Sequence, residues 1–324
     1  MYQIVPTNKP IVLPPISLNS LSIEITNRCN LRCKMCVSHG EGLDAGQAKD
    51  MPPFMELDFF EDIISQYKRI ASDRKIVAPQ FQGESLVNRQ FLDFCRILQN
   101  AGLPFSFTTN ATLLTPEISR ELLAMSCFSG INFSIDGVKP ETFEAIRIGA
   151  SYEKVMSNVE TFLALAKSCP HVRTSVSFTM QQENRGEIEE FINLWARRVD
   201  VLNFNTRCVK GRPELCLWRP ARFYCHDLFH FMIVLTDGSV VPCCRDYLYT
   251  LKMGDLHEQT LEEVWMGERY MSMRLLQAMK NFTTPKLCAE CDTWMTYSEE
   301  MKIVDLADDI VLEQHPFWMR VHRK

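Results

Sequence analysis

Three cysteines near the N-terminus are spaced closely enough to bind one metal centre together. They form the pattern C-x3-C-x2-C at Cys29, Cys33 and Cys36, directly after a short apolar run. Four thiolates would fill a structural zinc or iron–sulfur site, whereas three leave one position of the metal centre open. The spacing therefore predicts a metal centre at whose open position chemistry can occur. A zinc site completed by a distant fourth ligand, or a chance pattern, is the alternative.

A second group of cysteines lies in the C-terminal third of the chain. The chain has thirteen cysteines, which is many for its length, and their clustering separates ligand candidates from the rest. In a reducing compartment, clustered thiols are more often metal ligands or catalytic groups than disulfide partners. The second group contains Cys225, Cys243, Cys244, Cys288 and Cys291. We expect the isolated cysteines to be mostly small buried side chains: Cys95, Cys127, Cys169, Cys208 and Cys216.

Composition and charge exclude several classes of protein. The 324 residues are 46% hydrophobic and 23% charged, with a formal net charge of -5 and no basic tract. Binding to nucleic acid through phosphate contacts is therefore not expected. The N-terminus lacks the charged region and apolar core of a signal peptide, and no apolar run approaches the roughly 18 residues of a membrane span. We accordingly expect a cytoplasmic protein that does not bind a membrane.

Short β-rich runs alternate with helical patterns from residue 21 to about residue 210. This alternation predicts an α/β fold with a parallel sheet of right-handed βα units, a partial (β/α)6 TIM-like barrel that follows an N-terminal extension, 1–20. The first cysteine group follows the first strand, at the edge where barrel enzymes carry their active sites. The predicted strands are 21–26, 75–81, 104–109, 130–136, 172–180 and 199–205, and the predicted helices are 55–70, 88–101, 115–125, 151–168 and 184–197.

A smaller second domain is predicted over residues 211–295, beginning in a linker rich in Pro and Arg at 208–223. Asp237-Gly238 lies between two β-rich runs and indicates a hairpin, and an amphipathic helix is expected over 260–279. Because so small a region has little core of its own, we expect a metal to stabilise it. The C-terminal tail, 296–324, is compatible with a helix and has no assigned place in the fold.

The first cysteine group and its surroundings closely resemble the radical S-adenosylmethionine (radical SAM) enzymes. In that family the three cysteines hold a [4Fe–4S] cluster, and the amino and carboxylate groups of SAM bind the fourth iron. One electron passed to the sulfonium yields a 5′-deoxyadenosyl radical, which abstracts hydrogen from an unactivated C–H bond. The resemblance implies these roles for Cys29, Cys33 and Cys36, while the protein supplies geometry and excludes water. Met35 departs from the family, in which an aromatic residue often precedes the last cysteine.

The segment after the second predicted strand extends the resemblance. FQGESLVN, residues 81–88, stands where the family has a GGEP-like segment whose backbone and acid receive the SAM amino group. The resemblance implies this role for Gly83 and Glu84, with Ser85 in place of the usual proline. A plain loop is the alternative.

Further residues that resemble SAM-binding positions of the family lie at or after the ends of the third and fourth predicted strands. FSIDG with IRIGASYEKV resembles the stretch that holds the SAM ribose and carboxylate, which implies these roles for Ser134 and Arg147. A guanidinium group suits a carboxylate because it donates two parallel hydrogen bonds. Asn110, in TTNATLL, resembles a residue beside SAM or substrate. Surface positions for Ser134 and Arg147 are the alternative.

The second cysteine group resembles the twitch domain, a shortened form of the SPASM domain found in many radical SAM enzymes. The resemblance implies that Cys225, Cys243, Cys288 and Cys291 fully ligate an auxiliary [4Fe–4S] cluster, which suits electron transfer. Structural zinc is the alternative. Cys244 is then left over, either as a hydrogen-atom donor to a substrate radical or as a packing residue or alternate ligand.

Two outcomes of hydrogen abstraction are compatible with this sequence. If the auxiliary cluster takes the substrate electron, the enzyme is an oxidoreductase (a dehydrogenase), and if Cys244 returns a hydrogen atom it is an epimerase. The resemblance favours a sugar- or aminocyclitol-like natural product as substrate, with flavodoxin or ferredoxin as a one-electron donor. A ribosomal peptide is the alternative substrate, although residues 1–20 are too short for a peptide-recognition domain. A non-catalytic iron–sulfur scaffold is the third hypothesis.

Several polar residues are weaker candidates. Asp136, Glu183 and Arg207 follow predicted strands and could contact a polar substrate, with a structural role as the alternative for each. His226 and His230 flank Cys225 and are predicted to be hairpin residues, with ligation or proton transfer as the alternative.

Overall fold

The computed structural model describes residues 12–40, 50–71, 75–206, 222, 224–291, 302–307, 310–314 and 318–323. Within these residues, twelve strands form one sheet, and six parallel strands at its centre pair in chain order. The six are β1 (Ser20–Ile23), β2 (Ile76–Ala78), β3 (Phe105–Thr109), β4 (Phe128–Ser134), β5 (Arg173–Met180) and β6 (Val201–Thr206). They confirm the predicted α/β fold with a partial barrel.

Helices connect the parallel strands. The helix over Pro140–Ile146 was not predicted, and the last one begins after a 3-10 turn at Arg185–Glu187. The third helix starts as predicted, because the Thr115 side chain accepts a hydrogen bond from Ile118 N and Pro116 takes the first position. The helices are α1 (Leu57–Ile70), α2 (Phe91–Ala101), α3 (Pro116–Leu123), α4 (Pro140–Ile146), α5 (Tyr152–Ala166) and α6 (Ile188–Trp195).

The barrel strands have one apolar face and one polar face. On β3, Phe105 and Phe107 are buried, whereas Ser106 and Thr108 are half-buried. The apolar face packs against the helices, as the ring of Phe107 shows by lying 4.8 Å from that of Phe91 in α2, centroid to centroid. Since successive side chains of a strand point to opposite faces, the serine and threonine side chains line the inside of the barrel.

The predicted hairpin extends the sheet at its β1 edge. Strand β7 (Phe231–Val234) pairs in parallel with β1, and β8 (Ser239–Val241) and β9 (Gly254–Asp255) follow in antiparallel order. The turn forms at Asp237-Gly238, where Gly238 has φ +79°, a left-handed conformation that favours glycine. The hairpin therefore shares the barrel's sheet instead of standing apart from it.

In the described part of the chain, four helices accompany this hairpin. The single helix predicted over 260–279 is two helices, because Gly267 has an extended backbone and precedes the second. The four are α7 (Asp227–His230), α8 (Leu261–Trp265), α9 (Glu268–Ala278) and α10 (Lys286–Ala289). The predicted linker, including Cys208 and Cys216, lies outside the described residues apart from Arg222. No helix in the described part of the chain is long and apolar enough to cross a lipid bilayer.

The helical interpretation of the C-terminal tail is wrong. The tail contains β10 (Lys302–Ala307), β11 (Ile310–Gln314) and β12 (Trp318–Arg323), joined in antiparallel order. Strand β12 pairs with β6 and so covers the other edge of the parallel sheet. An edge strand has unpaired backbone groups, and this long-range pairing satisfies them.

Candidate functional site

The first cysteine group lies on a loop that follows β1. Two backbone hydrogen bonds fix this loop to the chain around Arg147, from Arg32 N to Ile148 O (2.9 Å) and from Lys34 N to Ile146 O (2.9 Å). Cys33 is buried, and Cys29 and Cys36 are half-buried. The loop thus lies at the carboxyl edge of the barrel, as predicted.

The three thiols influence one another electrostatically. Burial raises the pKa of the Cys29 thiol to about 11, with Glu84 and the other two thiols adding to the effect. Burial also raises the pKa of Cys33, against the influence of Arg147. Such thiols are protonated when no metal is bound, so a metal centre must displace their protons.

The donor set fits an iron–sulfur cluster. Soft thiolates are the ligands that iron–sulfur clusters and zinc prefer. A single zinc ion, however, binds each sulfur ligand at a Zn–S distance of about 2.3 Å, so its ligands must converge on one point. Among the described residues, no three His, Cys, Asp or Glu side chains converge closely enough to hold one metal ion. A cluster, which binds each thiolate at a different iron, is compatible with three neighbouring thiols that do not meet at one point.

Arg147 reaches the cysteine loop from the C-terminal end of α4. Its Nη2 lies 2.7 Å from Asp136 Oδ2, and its Nη1 lies 4.0 Å from Cys33 Sγ. Its Nε is buried and has no hydrogen-bond partner among the described residues. Arg147 is therefore not a surface residue, and it keeps one donor that a carboxylate could take.

Glu84 connects three segments at the carboxyl edge. Its backbone N donates to Arg28 O (2.9 Å), and its carboxyl group accepts hydrogen bonds from Asn110 N (2.7 Å) and Thr109 Oγ1 (2.8 Å). A third donor is Leu86 N, at 3.3 Å. Burial raises the pKa of Glu84. A carboxylate has about four acceptor positions, so one remains for a ligand.

Position 83 must be a glycine because two backbone segments approach each other closely there. A Cβ atom at this position would overlap the carbonyl oxygen of Thr26 and would lie 2.7 Å from that of Arg28. Both oxygens belong to the segment that leads into the cysteine loop. Any larger residue would push this segment away from the loop after β2.

Asn110 joins the cysteine loop to the end of β3. Its Nδ2 donates to Asn30 Oδ1 (2.9 Å), and Asn30 Nδ2 donates in turn to Thr112 Oγ1 (2.8 Å). Its Oδ1 accepts from Thr112 N (3.0 Å) and Thr112 Oγ1 (2.6 Å). The Asn110 side chain thus contributes to the position of the loop, while the next residue, Ala111, has a left-handed φ of 59°.

Ser134 is the last residue of β4. It is half-buried, and its hydroxyl group has no hydrogen-bond partner among the described residues. Asp136, two residues on, pairs with Arg147. The structure therefore brings Ser134, Arg147 and the cysteine loop to the same edge, together with Glu84 and Asn110.

The second cysteine group surrounds the β7–β8 hairpin. Cys225 precedes α7, Cys243 follows β8, Cys288 lies in α10 and Cys291 follows it. Burial raises the pKa of Cys225, Cys243 and Cys288, the last to about 12, and each is raised further by another cysteine of the group. Cys244 differs from its neighbour because it is exposed.

Arg222 lies beside this second group. Its Nη2 donates to the carbonyl oxygen of Cys288, and its guanidinium lies 4.6 Å from the centre of the Phe282 ring. Burial lowers the pKa of Arg222, while Cys291, Cys288 and Cys225 act in the opposite direction. A cation thus lies close to three of the four predicted ligands.

Glu24 is a candidate that the sequence interpretation missed. It directly follows β1, is fully buried, and its Oε1 accepts from Gln82 N (3.3 Å) and Tyr249 Oη (3.4 Å). Its Oε2 has no partner among the described residues, and burial, with a smaller contribution from Asp237, raises its pKa to about 8. An acidic residue inside the apolar run LSIEIT was the available signal.

The weaker candidates are structural or exposed. Asp136 is held by Arg147, and Glu183 forms an ion pair of 3.7 Å with Lys34 near the surface. The rings of His226 and His230 are in contact, with centroids 4.1 Å apart, and His230 Nδ1 lies 3.1 Å from Ser17 O. Arg207 lies outside the described residues.

Two family models match the sequence. That of the Radical SAM superfamily matches residues 23–194, and that of the SPASM iron–sulfur cluster-binding domain matches residues 225–292. The two ranges contain the two cysteine groups. They confirm the resemblance inferred from the motifs.

Curated relatives agree with these matches. The chain is 25% identical over 321 residues to the tungsten-containing aldehyde ferredoxin oxidoreductase cofactor-modifying protein of Pyrococcus furiosus, covering 84% of this chain and 86% of that protein. It is 30% identical over 179 residues to the GTP 3′,8-cyclase of Peptoclostridium acidaminophilum, covering 55% of this chain. The chain spans about half the length of that cyclase, 51%.

Solved structures share the fold. BtrN in complex with AdoMet and 2-DOIA aligns with a TM-score of 0.58 at 15% identity, over 89% of this chain and 98% of BtrN. Streptococcus suis SuiB bound to precursor peptide SuiA aligns with a TM-score of 0.62 at 14% identity, over 80% of this chain and 67% of SuiB. Because the Radical SAM model covers more than half of the sequence, the chain belongs to the radical SAM superfamily, whose cofactors are SAM and a [4Fe–4S] cluster, and it carries a SPASM-type iron–sulfur domain.

Proposed function

We propose that this radical SAM enzyme oxidises a polar small molecule by removing from it one hydrogen atom, one electron and one proton, the proton passing to solvent. The observation that carries the proposal is the presence of two separate thiol sets, three cysteines after β1 and four around the β7–β8 hairpin. Three thiolates leave a position for SAM, whereas four ligate a cluster fully. A fully ligated cluster offers no position to a substrate and suits electron transfer.

The residues at the carboxyl edge bind SAM in this proposal. Cys29, Cys33 and Cys36 hold the first cluster. Arg147 offers to the SAM carboxylate its Nε, which has no partner among the described residues. The hydroxyl of Ser134, likewise without a partner in the described part of the chain, takes the ribose. Glu84 keeps one acceptor position for the SAM amino group. When bound, the cluster and SAM supply a 5′-deoxyadenosyl radical.

Two further residues at the carboxyl edge hold the proposed cluster and SAM ligands in position. Gly83 allows the loop after β2 to approach the segment before Cys29, and Asn110 fixes Asn30 between the first two ligands. Their contribution is geometric, because radical chemistry requires the reacting atoms to be positioned before the radical forms.

The second thiol set would hold the group that accepts the electron in this proposal. Cys225, Cys243, Cys288 and Cys291 ligate an auxiliary [4Fe–4S] cluster, and a protein such as flavodoxin or ferredoxin delivers electrons. The twitch-like spacing supports a sugar- or aminocyclitol-like substrate. BtrN, which shares the fold, holds AdoMet and 2-DOIA together.

SAM cleavage by the anaerobically reconstituted protein tests the proposed function. With dithionite as reductant, we expect 5′-deoxyadenosine to form, and we expect Cys33→Ala to abolish it. Cys127→Ala, at a half-buried cysteine outside both groups, is the matched control and should retain the activity. Formation of no more 5′-deoxyadenosine than in Cys33→Ala, at full iron content, would support a non-catalytic scaffold instead.

Epimerisation is the second candidate, because Cys244 is an exposed thiol next to a predicted cluster ligand. Turnover in deuterated water separates the two reactions. A dehydrogenase yields a carbonyl product without solvent deuterium at the reacting carbon, and it is unaffected by Cys244→Ala. An epimerase incorporates deuterium there and stalls in the variant. A peptide substrate, of the kind that SuiB binds, is the remaining alternative.

A further inference from the structure

A cavity of about 590 Å³ lies between the polar face of the barrel strands and the C-terminal strands β11 and β12. Its volume is typical of sites for one small molecule. Neutral polar residues of the strands line it together with apolar ones such as Phe107, Ile131 and Val201. The polar ones are Ser106, Thr108, Asn132, Ser175 and Asn203, with Gln80 just after β2. The cavity is thus lined by the inner face of the partial barrel.

The lining offers many unused hydrogen-bonding groups. Asn132 Oδ1 accepts from Ser175 Oγ and Ser177 Oγ, both at 2.9 Å, which turns the amide nitrogen of Asn132 away from them. That nitrogen, and the side chains of Ser106, Thr108 and Asn203, have no hydrogen-bond partner among the described residues. Hydroxyl and amide groups both donate and accept, so they match a ligand with several hydroxyl groups.

Charged groups gather at one end of the cavity. Glu313 of β11 lies 3.7 Å from Arg320 Nη1 and 3.1 Å from His322 Nε2, both on β12. Arg173, at the start of β5, also lines the cavity. The described lining therefore contains two guanidinium groups and one carboxylate, a balance of charge that favours an anionic group at this end.

Arg320 lies in the same row of the sheet as Ser134, because Arg320 pairs with Asn203, Asn203 with Ser177, and Ser177 with Ser134. Asn132 and Ser134 lie on the same face of β4, two residues and about 6.6 Å apart along the strand. A ligand with its anionic group near Arg320 therefore reaches Ser134 by extending its carbon skeleton across β6 and β5, roughly 14 Å at about 4.8 Å per strand. This orientation places C–H bonds near the position proposed for SAM.

We propose that the cavity binds the substrate and that this substrate is a polyhydroxylated molecule with a carboxylate or phosphate group, held by Arg320 of the C-terminal hairpin. The inference rests on the proposed function and deepens it by naming the substrate class. It also gives the β11–β12 hairpin a role, because this hairpin supplies the charged wall of the cavity.

Calorimetric binding to the reconstituted full chain tests the inference. The probes are glucuronate, glucose 6-phosphate and the neutral polyol myo-inositol. We expect at least one anionic probe to bind about tenfold more tightly than myo-inositol, the worth of one charge-assisted hydrogen bond. Comparison of glucuronate with glucose 6-phosphate decides between carboxylate and phosphate.

Two variants connect binding to the cavity. Arg320→Gln should weaken the preferred anionic probe about tenfold, and Asn203→Leu should weaken all three probes. Arg198→Gln, which removes an arginine paired with Glu160 on the outside of the barrel, is the matched control and should bind like the wild type. Circular dichroism and thermal unfolding show whether each variant is folded.

Two outcomes overturn the inference: no binding of any polyol, or binding that neither Arg320→Gln nor Asn203→Leu changes. Failure of the proposed function is recognised separately, since SAM cleavage without substrate depends on the cysteines and not on the cavity. A chain that cleaves SAM but binds no polyol refutes only the substrate class.

Discussion

Arg147 and Asp136 form a buried ion pair beside the cysteine loop. Their side chains are 9% and 0% exposed, with Nη2 and Oδ2 2.7 Å apart. Asp136 is itself held by Thr179 N, which donates to its Oδ1 at 2.6 Å. The pair therefore fixes the guanidinium group against β4 and β5, and it directs Nη1 toward Cys33. Asp136 acts on the predicted SAM site by positioning Arg147.

Replacement of Asp136 by asparagine tests this relationship. Asp136→Asn leaves the buried Arg147 without its counter-charge, so we expect a loss of about 3–5 kcal/mol in the free energy of unfolding. SAM should bind about tenfold more weakly, as measured by equilibrium dialysis. Asp93→Asn is the matched control, because it breaks an exposed ion pair with Arg96 and should cost less than about 1 kcal/mol. Equal effects of the two substitutions would contradict the role of Asp136.

Gly83 tolerates no side chain, because backbone oxygens of Thr26 and Arg28 occupy the space of a Cβ atom. We expect Gly83→Ala to lower the thermal unfolding midpoint by the equivalent of about 1–3 kcal/mol, typical of overpacking. It should also reduce the iron bound by the first cysteine group. Gly186→Ala, where no atom lies within 4 Å of the added carbon, serves as control and should leave both quantities unchanged. Wild-type iron content in Gly83→Ala would show that the two segments can separate harmlessly.

Cys243 and Cys244 are adjacent in the chain but should behave differently. Cys243 is desolvated and influenced by Cys225, whereas Cys244 is exposed. Cys243→Ala should therefore lose about half of the bound iron and sulfide, since two [4Fe–4S] clusters carry equal amounts. Cys244→Ala should keep both. Iron and sulfide analysis with EPR spectroscopy measures the result, and an equal loss in the two variants would identify Cys244 as a ligand.

Local patterns in the sequence predicted the parallel strands, the hairpin and the start of α3. The turn at Asp237-Gly238 and the cap at Thr115 depend on residues within a few positions of one another, so a sequence pattern reveals them. The strands of the C-terminal tail were missed because β12 depends on pairing with β6, more than a hundred residues away. Neither segment alone carries a signal for that pairing.

The candidate site was predictable where a spacing carries the chemistry, as at Cys29, Cys33 and Cys36. The contacts that these site residues make with distant segments of the chain were not predictable. Asp136 was interpreted as a separate candidate, although it is the ion-pair partner of Arg147. Glu84 was predicted as a ligand of SAM, and its bonds to the end of β3 became visible only in the fold.

Glu24 should make the stability of the protein depend on pH. Burial raises its pKa from 4.5 to about 8, so the folded chain keeps a proton that the unfolded chain loses above about pH 4.5. Because the folded state binds more protons in this window, the contribution of Glu24 to stability falls as the pH rises and is lost above about pH 8. Glu24→Gln removes this effect, so its free energy of unfolding relative to wild type should rise by about 4 kcal/mol from about pH 5 to about pH 8.5. Thermal unfolding under anaerobic conditions measures the difference, with Glu61→Gln, on the exposed side of α1, as the matched control. A difference between Glu24→Gln and wild type that does not change with pH would mean that Glu24 is already ionised in the folded chain.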